Sequence, residues 1–283
     1  MIDQRLLTFL TLCDTLHYRA AAERLHITQP AVTQHVKALE AEYGCRLFSY
    51  ENRALSLTDG GALLRRYAQE ACFRERELRE KLALPQEPIL RIGATKTIGA
   101  YVLSGLLAPF LAEPAHRAEV VVDNTTALLE ALDRNALDFA LIEGFFDQTA
   151  YACRLFRRES FLGICAKGHP FAGRDVPLED IFTETLLLRE QGSGTRAILE
   201  QVLQAHNASC SQFARTVCVS DFSLLASLTA AGSGISFVYQ AVAAHYPELR
   251  TFTLQNHSIV REFNYVYLKN TGAPLKIDYF LGK

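Results

Sequence analysis

The apolar residues of this chain change their period near residue 85, and that change implies two architectures in one polypeptide. Before it they recur three and four apart, apart from one short alternating stretch, as the buried stripes of helices do. From Ile89 onward short apolar runs alternate with helical stretches, the pattern of strands and their covering helices. Pro85 and Pro88 bracket the change and mark a hinge and domain boundary. The length of 283 residues suits two or three domains. With 29 Lys and Arg against 31 Asp and Glu, and 49% hydrophobic residues, the chain is neither disordered nor a basic coat for nucleic acid. A local DNA-reading module remains open, because its contacts can be few and concentrated.

Other classes fall away on pattern. No run of about 18 apolar residues occurs, so no membrane-spanning helix and no membrane partner is expected. The first 17 residues lack a basic start and a small-residue cleavage site, and Asp3 and Asp14 interrupt their apolar run. That predicts a cytoplasmic chain without a secretory leader. The seven cysteines are scattered and form no Cys-x-x-Cys pair, which indicates neither a zinc site nor a disulfide framework. No metal or cofactor is implied. The eight histidines include no His-x-x-x-His pair, and neither a Gly-x-Ser-x-Gly elbow nor a P-loop is present. An enzyme is not expected.

The first sixty residues read as three helices and a hairpin. Leu6, Phe9, Leu10, Cys13 and Leu16 form one stripe, and YRAAAERL a second helix with Ala21, Ala22 and Leu25 on a face. After the break at His26-Ile27-Thr28, Thr28 can cap a third helix whose first turn tolerates Pro30. That helix runs to about Tyr43 and stops at Gly44, with Val32, Val36, Leu39 and Tyr43 turned inward. Its opposite face carries Gln29, Thr33, Gln34 and Lys37. Gln can bond two adenine edge groups at once, while Thr and Lys suit phosphates. Two helices joined by a tight turn, the second polar on its outer face, describe a helix-turn-helix. A merely solvated helix presents the same face, and spacing does not separate the two. Residues 47–58 then alternate as a hairpin would, with Arg53 at the tip, placed for a phosphate or the minor groove. Residues 1–58 hold six basic and six acidic side chains, so affinity must come from a few placed contacts.

The stretch AAERLHITQPAVTQHVKALEAEYGCRLF, followed by LSLTDGG, resembles the winged helix-turn-helix of LysR-type transcriptional regulators, without gaps over residues 6–61. The resemblance implies a DNA-binding regulator of transcription whose DNA-facing residues are Gln29, Pro30, Thr33, Gln34 and Lys37, with Arg53 in the wing. Two positions depart from the family pattern. Tyr50 stands where an Arg is usual, and Gly60-Gly61 where Ala-Gly is usual.

Leu64, Ala71 and Leu78 fall seven apart, with Tyr67 and Leu82 adding to the seam and Arg74 interrupting it. An amphipathic helix packed on its own domain would read alike; the resemblance favours a dimerising linker. Beyond it, strands are expected at LRIGA, EVVVDN and FALIEG, with helices over residues 98–111 and 127–134. Residues 167–177 look like a break between lobes, and later strands are expected at residues 186–189, 214–219, 234–238 and 263–268. This order, with LDFALIEG, HPF and AAGSGISFV in comparable places, is similar to the LysR-type effector domain. The expected fold is therefore multidomain. An α-rich winged helix-turn-helix (1–58) and a long linker helix (59–86) lead into an α/β two-lobed effector domain of the type 2 periplasmic-binding-protein kind (87–283). Lobe I would take residues 87–163 and 265–283, and lobe II residues 164–264.

In such a fold ligands sit between the lobes, at strand carboxyl ends and helix N-termini. Thr95, Thr97 and Thr125 qualify on one side, and on the other the run Gly192-Ser193-Gly194-Thr195-Arg196. Its glycines allow close backbone approach, its hydroxyls can bond oxyanion oxygens, and Arg196 offers a planar fork for an anion. Ser and Thr also commonly cap helices. The run resembles that of LysR-type regulators answering small anionic metabolites, including oxidised sulfur compounds. The expected partners are double-stranded DNA with paired half-sites, a small anionic effector held by Ser193, Thr195, Arg196, Thr95, Thr97 and Thr125, and further copies of the chain in a homodimer or homotetramer. A redox sensor of the same family, using Cys210 or Cys218, is the alternative. An exported solute-binding protein would need a leader.

Overall fold

The computed structural model describes residues 2–51, 54–82 and 89–283. Its head opens with α1 (Gln4–Thr15), α2 (Tyr18–Leu25) and α3 (Gln29–Tyr43). Local chemistry sets each boundary. The Asp3 carboxylate accepts the Arg5 amide at 2.8 Å to start α1, and His17 Nδ1 accepts the Ala20 amide at 3.2 Å to start α2. Thr28 Oγ1 caps α3 by accepting from the Ala31 amide at 3.4 Å, Pro30 sits in the first turn, and Gly44 ends the helix at φ +67°. Strands β1 (Phe48–Glu51) and β2 (Ala54–Leu57) then pair antiparallel as the wing.

Phe9, Leu12, Ala21, Val32, Val36, Leu39, Leu47 and Phe48 make the head's core, each stabilising it by roughly 1–3 kcal/mol. Tyr43 does not join them. It lies beyond the core on the last turn of α3 and is 47% exposed, contrary to the spacing. The Glu40 carboxylate accepts the Leu47 amide at 2.9 Å and so ties α3 to the wing.

Helix α4 (Asp59–Leu82) leaves the wing through a close approach. A Cβ on Gly61 would lie 2.1 Å from the Leu47 carbonyl oxygen, so only glycine fits there; one on Gly60 meets nothing nearer than 3.1 Å. The heptad reading of α4 divides. Leu64 is buried in the head's core, whereas Tyr67, Leu78 and Leu82 are exposed. Phe73 is buried beneath Arg76 and Lys276, which lie 4.9 and 5.5 Å from its ring. The hinge prolines Pro85 and Pro88 fall outside the described residues.

The body begins with β3 (Ile89–Thr95), α5 (Lys96–Tyr101), α6 (Leu103–Leu111), β4 (Arg117–Asp123), α7 (Thr125–Asp133) and β5 (Phe139–Ile142). Strands β4, β3 and β5 are parallel neighbours, as right-turning strand–helix units make them. The single helix expected over residues 98–111 is two, broken where Val102 takes φ −128°, ψ −43°. A 16-residue strand, β6 (Tyr151–Ala166), follows and carries the chain into the second lobe. There lie β7 (Asp175–Val176), β8 (Thr185–Leu188), α8 (Gly194–Ala205), β9 (Arg215–Cys218), α9 (Phe222–Ala230), β10 (Ser236–Tyr239), α10 (Gln240–His245) and β11 (Leu249–Leu254). The return strand β12 (Ile259–Leu268) runs antiparallel to β6 and joins β5, and α11 (Ala273–Phe280) closes the chain.

The main sheet is ordered β4-β3-β5-β12-β6-β11-β7, with β10 also on β6 and the β8–β9 pair bridged to it through Leu186 and Ile235. Crossing between lobes is thus made by two antiparallel strands. Residues 167–177, expected as the break, follow the end of β6 and lead into β7. No helix among the described residues is long and apolar enough to cross a membrane.

The head's helix and the body meet at buried charge. Asp138, just before β5, is 1% exposed and accepts the Arg91 amide at 2.8 Å, Arg76 of α4 at 2.5 Å and Lys276 of α11 at 3.0 Å. Arg65 of α4 pairs with Asp133 at 2.9 Å, and Tyr151 donates to the same carboxylate. Replacing Gly61 by Ala forces a methyl into the Leu47 carbonyl and should lower stability by about 3 kcal/mol, whereas Gly60→Ala should cost under about 1 kcal/mol. Urea unfolding of the two variants checks this; equal losses would refute the close-approach argument.

Candidate functional sites

The first site is a surface of α3. Gln29, Pro30, Thr33, Gln34 and Lys37 line one shallow concavity, and Gln29, Pro30, Gln34 and Lys37 are exposed. Thr33 is half-buried, and its Oγ1 donates to the Gln29 carbonyl at 3.2 Å. Beneath the patch His35 Nδ1 and Thr8 Oγ1 are 2.8 Å apart, pinning α3 to α1. This anchor was not legible from spacing, since 27 residues separate its ends. Arg53 lies outside the described residues.

The second site is the cleft between lobes. From the first lobe come Thr95, Lys96 and Thr97 after β3, Asn124 and Thr125 at the start of α7, and Glu143 after β5. From the second come Arg189, Glu190, Gly192, Ser193, Gly194 and Thr195, between β8 and α8. The cavity is about 30 Å³, room for a small group or one to two waters. Lys96 Nζ meets Glu190 at 3.1 Å and closes its mouth.

Of the six expected effector residues the cleft brings five together: Thr95, Thr97, Thr125, Ser193 and Thr195. Arg196 is not among its lining. Its Nε bonds Glu200 at 2.7 Å, one turn along α8, and its Nη1 donates to the Arg189 carbonyl at 3.4 Å. A cation on the third residue of a helix points along the helix surface and finds the i+4 carboxylate. Arg189 takes the inward place instead. It is 3% exposed, stacks 3.8 Å over Phe222, and gives Nε and Nη2 to Glu190 at 2.8 and 3.1 Å. Among the described residues its Nη1 has no partner, and neither has the buried Thr95 Oγ1 or Glu143 Oε2.

Local structure explains these placements. Gly192 adopts φ +85°, which turns the chain from β8 into α8, and Ser193 starts α8 without a side-chain cap. Asn124 does cap α7, accepting the Ala127 amide at 2.9 Å, which leaves the Thr125 hydroxyl to the cleft. Arg189 and Glu143 both stand just beyond the carboxyl end of an apolar strand, a position that marks α/β ligand sites. A charge closing the run LLLRE was the signal available for Arg189.

Burial pushes the Glu143 carboxyl up to about 7, against the pull of the Thr97 hydrogen bond and the Arg189 charge. Burial also raises Glu190, but hydrogen bonds from Arg189 and Lys96 outweigh it and hold that carboxyl below its ordinary value. Among the described residues, no group of three or more His, Cys, Asp or Glu side chains is arranged to hold a metal ion.

The family described as LysR substrate binding domain matches residues 85–282, and that described as bacterial regulatory helix-turn-helix protein, lysR family, matches residues 4–62. The HTH-type transcriptional regulator CysL of Bacillus subtilis is 26% identical over 268 residues, covering 92% of this chain and 89% of its own. Among solved structures, a cysteine-to-aspartate variant of full-length OxyR from Pseudomonas aeruginosa superimposes with a TM-score of 0.65 at 23% identity, covering 100% of this chain and 94% of that one. The regulatory domain of CcmR from Synechocystis, in complex with 2-PG, has a TM-score of 0.61 at 20% identity and covers 69% of this chain and 97% of its own.

Two outcomes are expected. Gln34→Ala should abolish sequence preference while leaving the fold intact; footprints equal to those of the parent protein would refute that role. For Glu143 the folded-state value lies above the unfolded one, so the folded chain holds a proton that the unfolded chain releases. Its stability is complete below about pH 4.5 and falls as pH rises to about 7. Glu143→Gln should therefore melt like the parent at low pH and be more stable by about 3 kcal/mol above pH 7. A difference that does not grow between those pH values would contradict the buried, protonated carboxyl.

Proposed function

The chain belongs to the LysR family of transcriptional regulators, and from that premise we propose that it switches transcription in answer to a small anion captured between its lobes. The head reads DNA through Gln29, Pro30, Thr33, Gln34 and Lys37, with Arg53 of the wing against the backbone or minor groove. Two copies pair through α4. Supporting this, Tyr67, Ala71 and Leu78 of α4 line an open groove of about 440 Å³ with Leu6 and Tyr43, rimmed by Asp3, Glu42, Arg74 and Glu75, and Tyr67 and Leu78 are exposed. Two heads so joined read half-sites about one helical turn or more apart, and further association of the bodies gives a tetramer.

One observation carries the anion reading: Arg189 is buried in the cleft with one guanidinium nitrogen unpartnered. A buried donor that nothing satisfies is costly, and an anion's oxygen satisfies it. The hydroxyls of Thr95, Thr97, Thr125, Ser193 and Thr195 and the uncapped start of α8 supply further donors. Arg189 thus takes the role expected of Arg196. The CcmR regulatory domain, similar in fold, forms a complex with 2-PG, which supports a small-molecule effector for the body of this chain. The redox alternative finds less support at Cys210, where burial raises the thiol and so disfavours the reactive thiolate; Cys218, its other candidate, is exposed at the end of β9.

Strand β5 offers a route from effector to DNA. Asp138 before it holds Arg76 of the linker helix, and Glu143 after it lines the cleft, four residues of strand apart. An anion that favours one lobe arrangement shifts the population of linker orientations, and with it half-site spacing.

The test is a melting panel of the full chain with sulfate, sulfite, phosphate, simple carboxylates and aromatic acids. A ligand at about 100 times its Kd adds about 2.7 kcal/mol, a rise of about 5 °C or more. The shift should be confined to certain small anions, vanish in Arg189→Gln and persist in Arg196→Ala. No shift with any anion would sink the reading.

A further inference from the structure

Glu143 is not accounted for by an anion site. It lies 7% exposed in the cleft that holds Arg189, and a carboxylate there works against an incoming anion. The groups facing it are few. Thr97 hydrogen-bonds its carboxylate, and an ideal Cβ on Gly194, in the first turn of α8, would lie 4.0 Å from Oε1. Arg189 faces it from the end of β8, and the Lys96–Glu190 pair closes the mouth. From β10 the Tyr239 phenol donates to the Glu143 carbonyl at 3.3 Å, and Thr125 of α7 borders Gly144. Glu190 binds both cations, so the cleft keeps one net positive charge only while Glu143 is neutral.

Space decides how an anion meets this carboxyl. Arg189 Nη1 and Glu143 Oε2, both buried and without a partner among the described residues, belong to residues lining one cavity of about 30 Å³, so an oxyanion that fills it is confined beside both side chains. Two ionised acceptors in contact have no hydrogen to share and repel in a low-dielectric site. A single proton between them converts the contact into a short, charge-assisted hydrogen bond.

Resting on the reading that an anion fills the cleft, we propose that Glu143 determines effector specificity by binding the ligand through a shared proton. The effector is then a small oxyanion without a cationic group, and it enters with one proton from solvent whenever Glu143 is ionised beforehand. The elevated titration range of the buried carboxyl places that uptake above about pH 7. An amino acid would instead set its ammonium against an ionised Glu143 and take up no proton.

The experiment is calorimetric titration of the full chain with sulfate, phosphate and sulfite at about pH 6 and about pH 8.5, each in two buffers of different ionisation enthalpy. Sulfate stays fully ionised throughout, so any proton taken up with it belongs to the protein. For the parent chain, affinity for sulfate should fall about tenfold per pH unit above about pH 7, with uptake approaching one proton per anion at the higher pH. Glu143→Gln should bind at both pH values as tightly as the parent does at the lower one, and without uptake. Binding of phosphate or sulfite without sulfate also overturns the uptake, because those anions bring a titrating proton of their own. Anion binding by the parent without uptake, or an unchanged pH dependence in Glu143→Gln, overturns the shared proton but leaves the cleft an anion site. Binding of a zwitterionic amino acid with no oxyanion binding overturns it too, as does the absence of any oxyanion heat, which fells the anion reading beneath it.

Discussion

The body of this protein depends on the pairing of β6 with β12. Ten residues of β12, from Ile259 opposite Phe161 to Leu268 opposite Tyr151, run antiparallel to β6 with one irregularity at Phe263/Asn264. The pair is shared by both lobes, since β12 continues into β5 on one side while β6 receives β10 and β11 on the other. Phe161, Tyr239, Phe263 and Tyr265 pack around it, within one core that also takes in Leu90 and Phe139 of the first lobe and Leu186 and Leu199 of the second. Because the strand ends β3, β5 and β8 are hung from this pair, their carboxyl-terminal loops face one another. The cleft follows from that geometry.

What fills the cleft is charge held at a cost. Three polar atoms there, on Thr95, Glu143 and Arg189, are buried with no partner among the described residues. Folding alone gives no reason to keep them, because each is a desolvated atom left without a hydrogen bond. Phe222 under the Arg189 guanidinium and the bidentate grip of Glu190 hold the cation in place while leaving one donor unused. Such preorganisation reduces the ordering cost of binding. On the opposite side of the first lobe, Asp138 satisfies three donors from β3, α4 and α11, so the linker is fastened where the cleft's own strand begins.

The head was legible nearly residue by residue because its boundaries are local chemistry: Thr28, Pro30 and Gly44 act on amides within a turn of themselves. Its misreadings, Leu16 after α1 and Tyr43 at the end of α3, followed the helical period past the end of the core; both side chains are exposed. In the body, LRIGA and EVVVDN were readable as apolar runs, but β6 was not. Its first half, with Arg154, Arg157 and Arg158 among the apolar residues, lies half in solvent and mixes its signals. Residues 98–111 carry enough apolar side chains for one helix, and only the turn at Val102 makes two.

The sequence by itself determined the caps, the turns, the polar face of α3, the hydroxyls and glycines before α8, and the family. These depend on contacts a few residues long. Tertiary structure decided that Arg189 rather than Arg196 enters the cleft, that Leu64 belongs to the head, and that Glu143 meets Arg189 across 46 residues of chain. Direction and burial of a side chain depend on how distant strands are registered, and no local pattern encodes that.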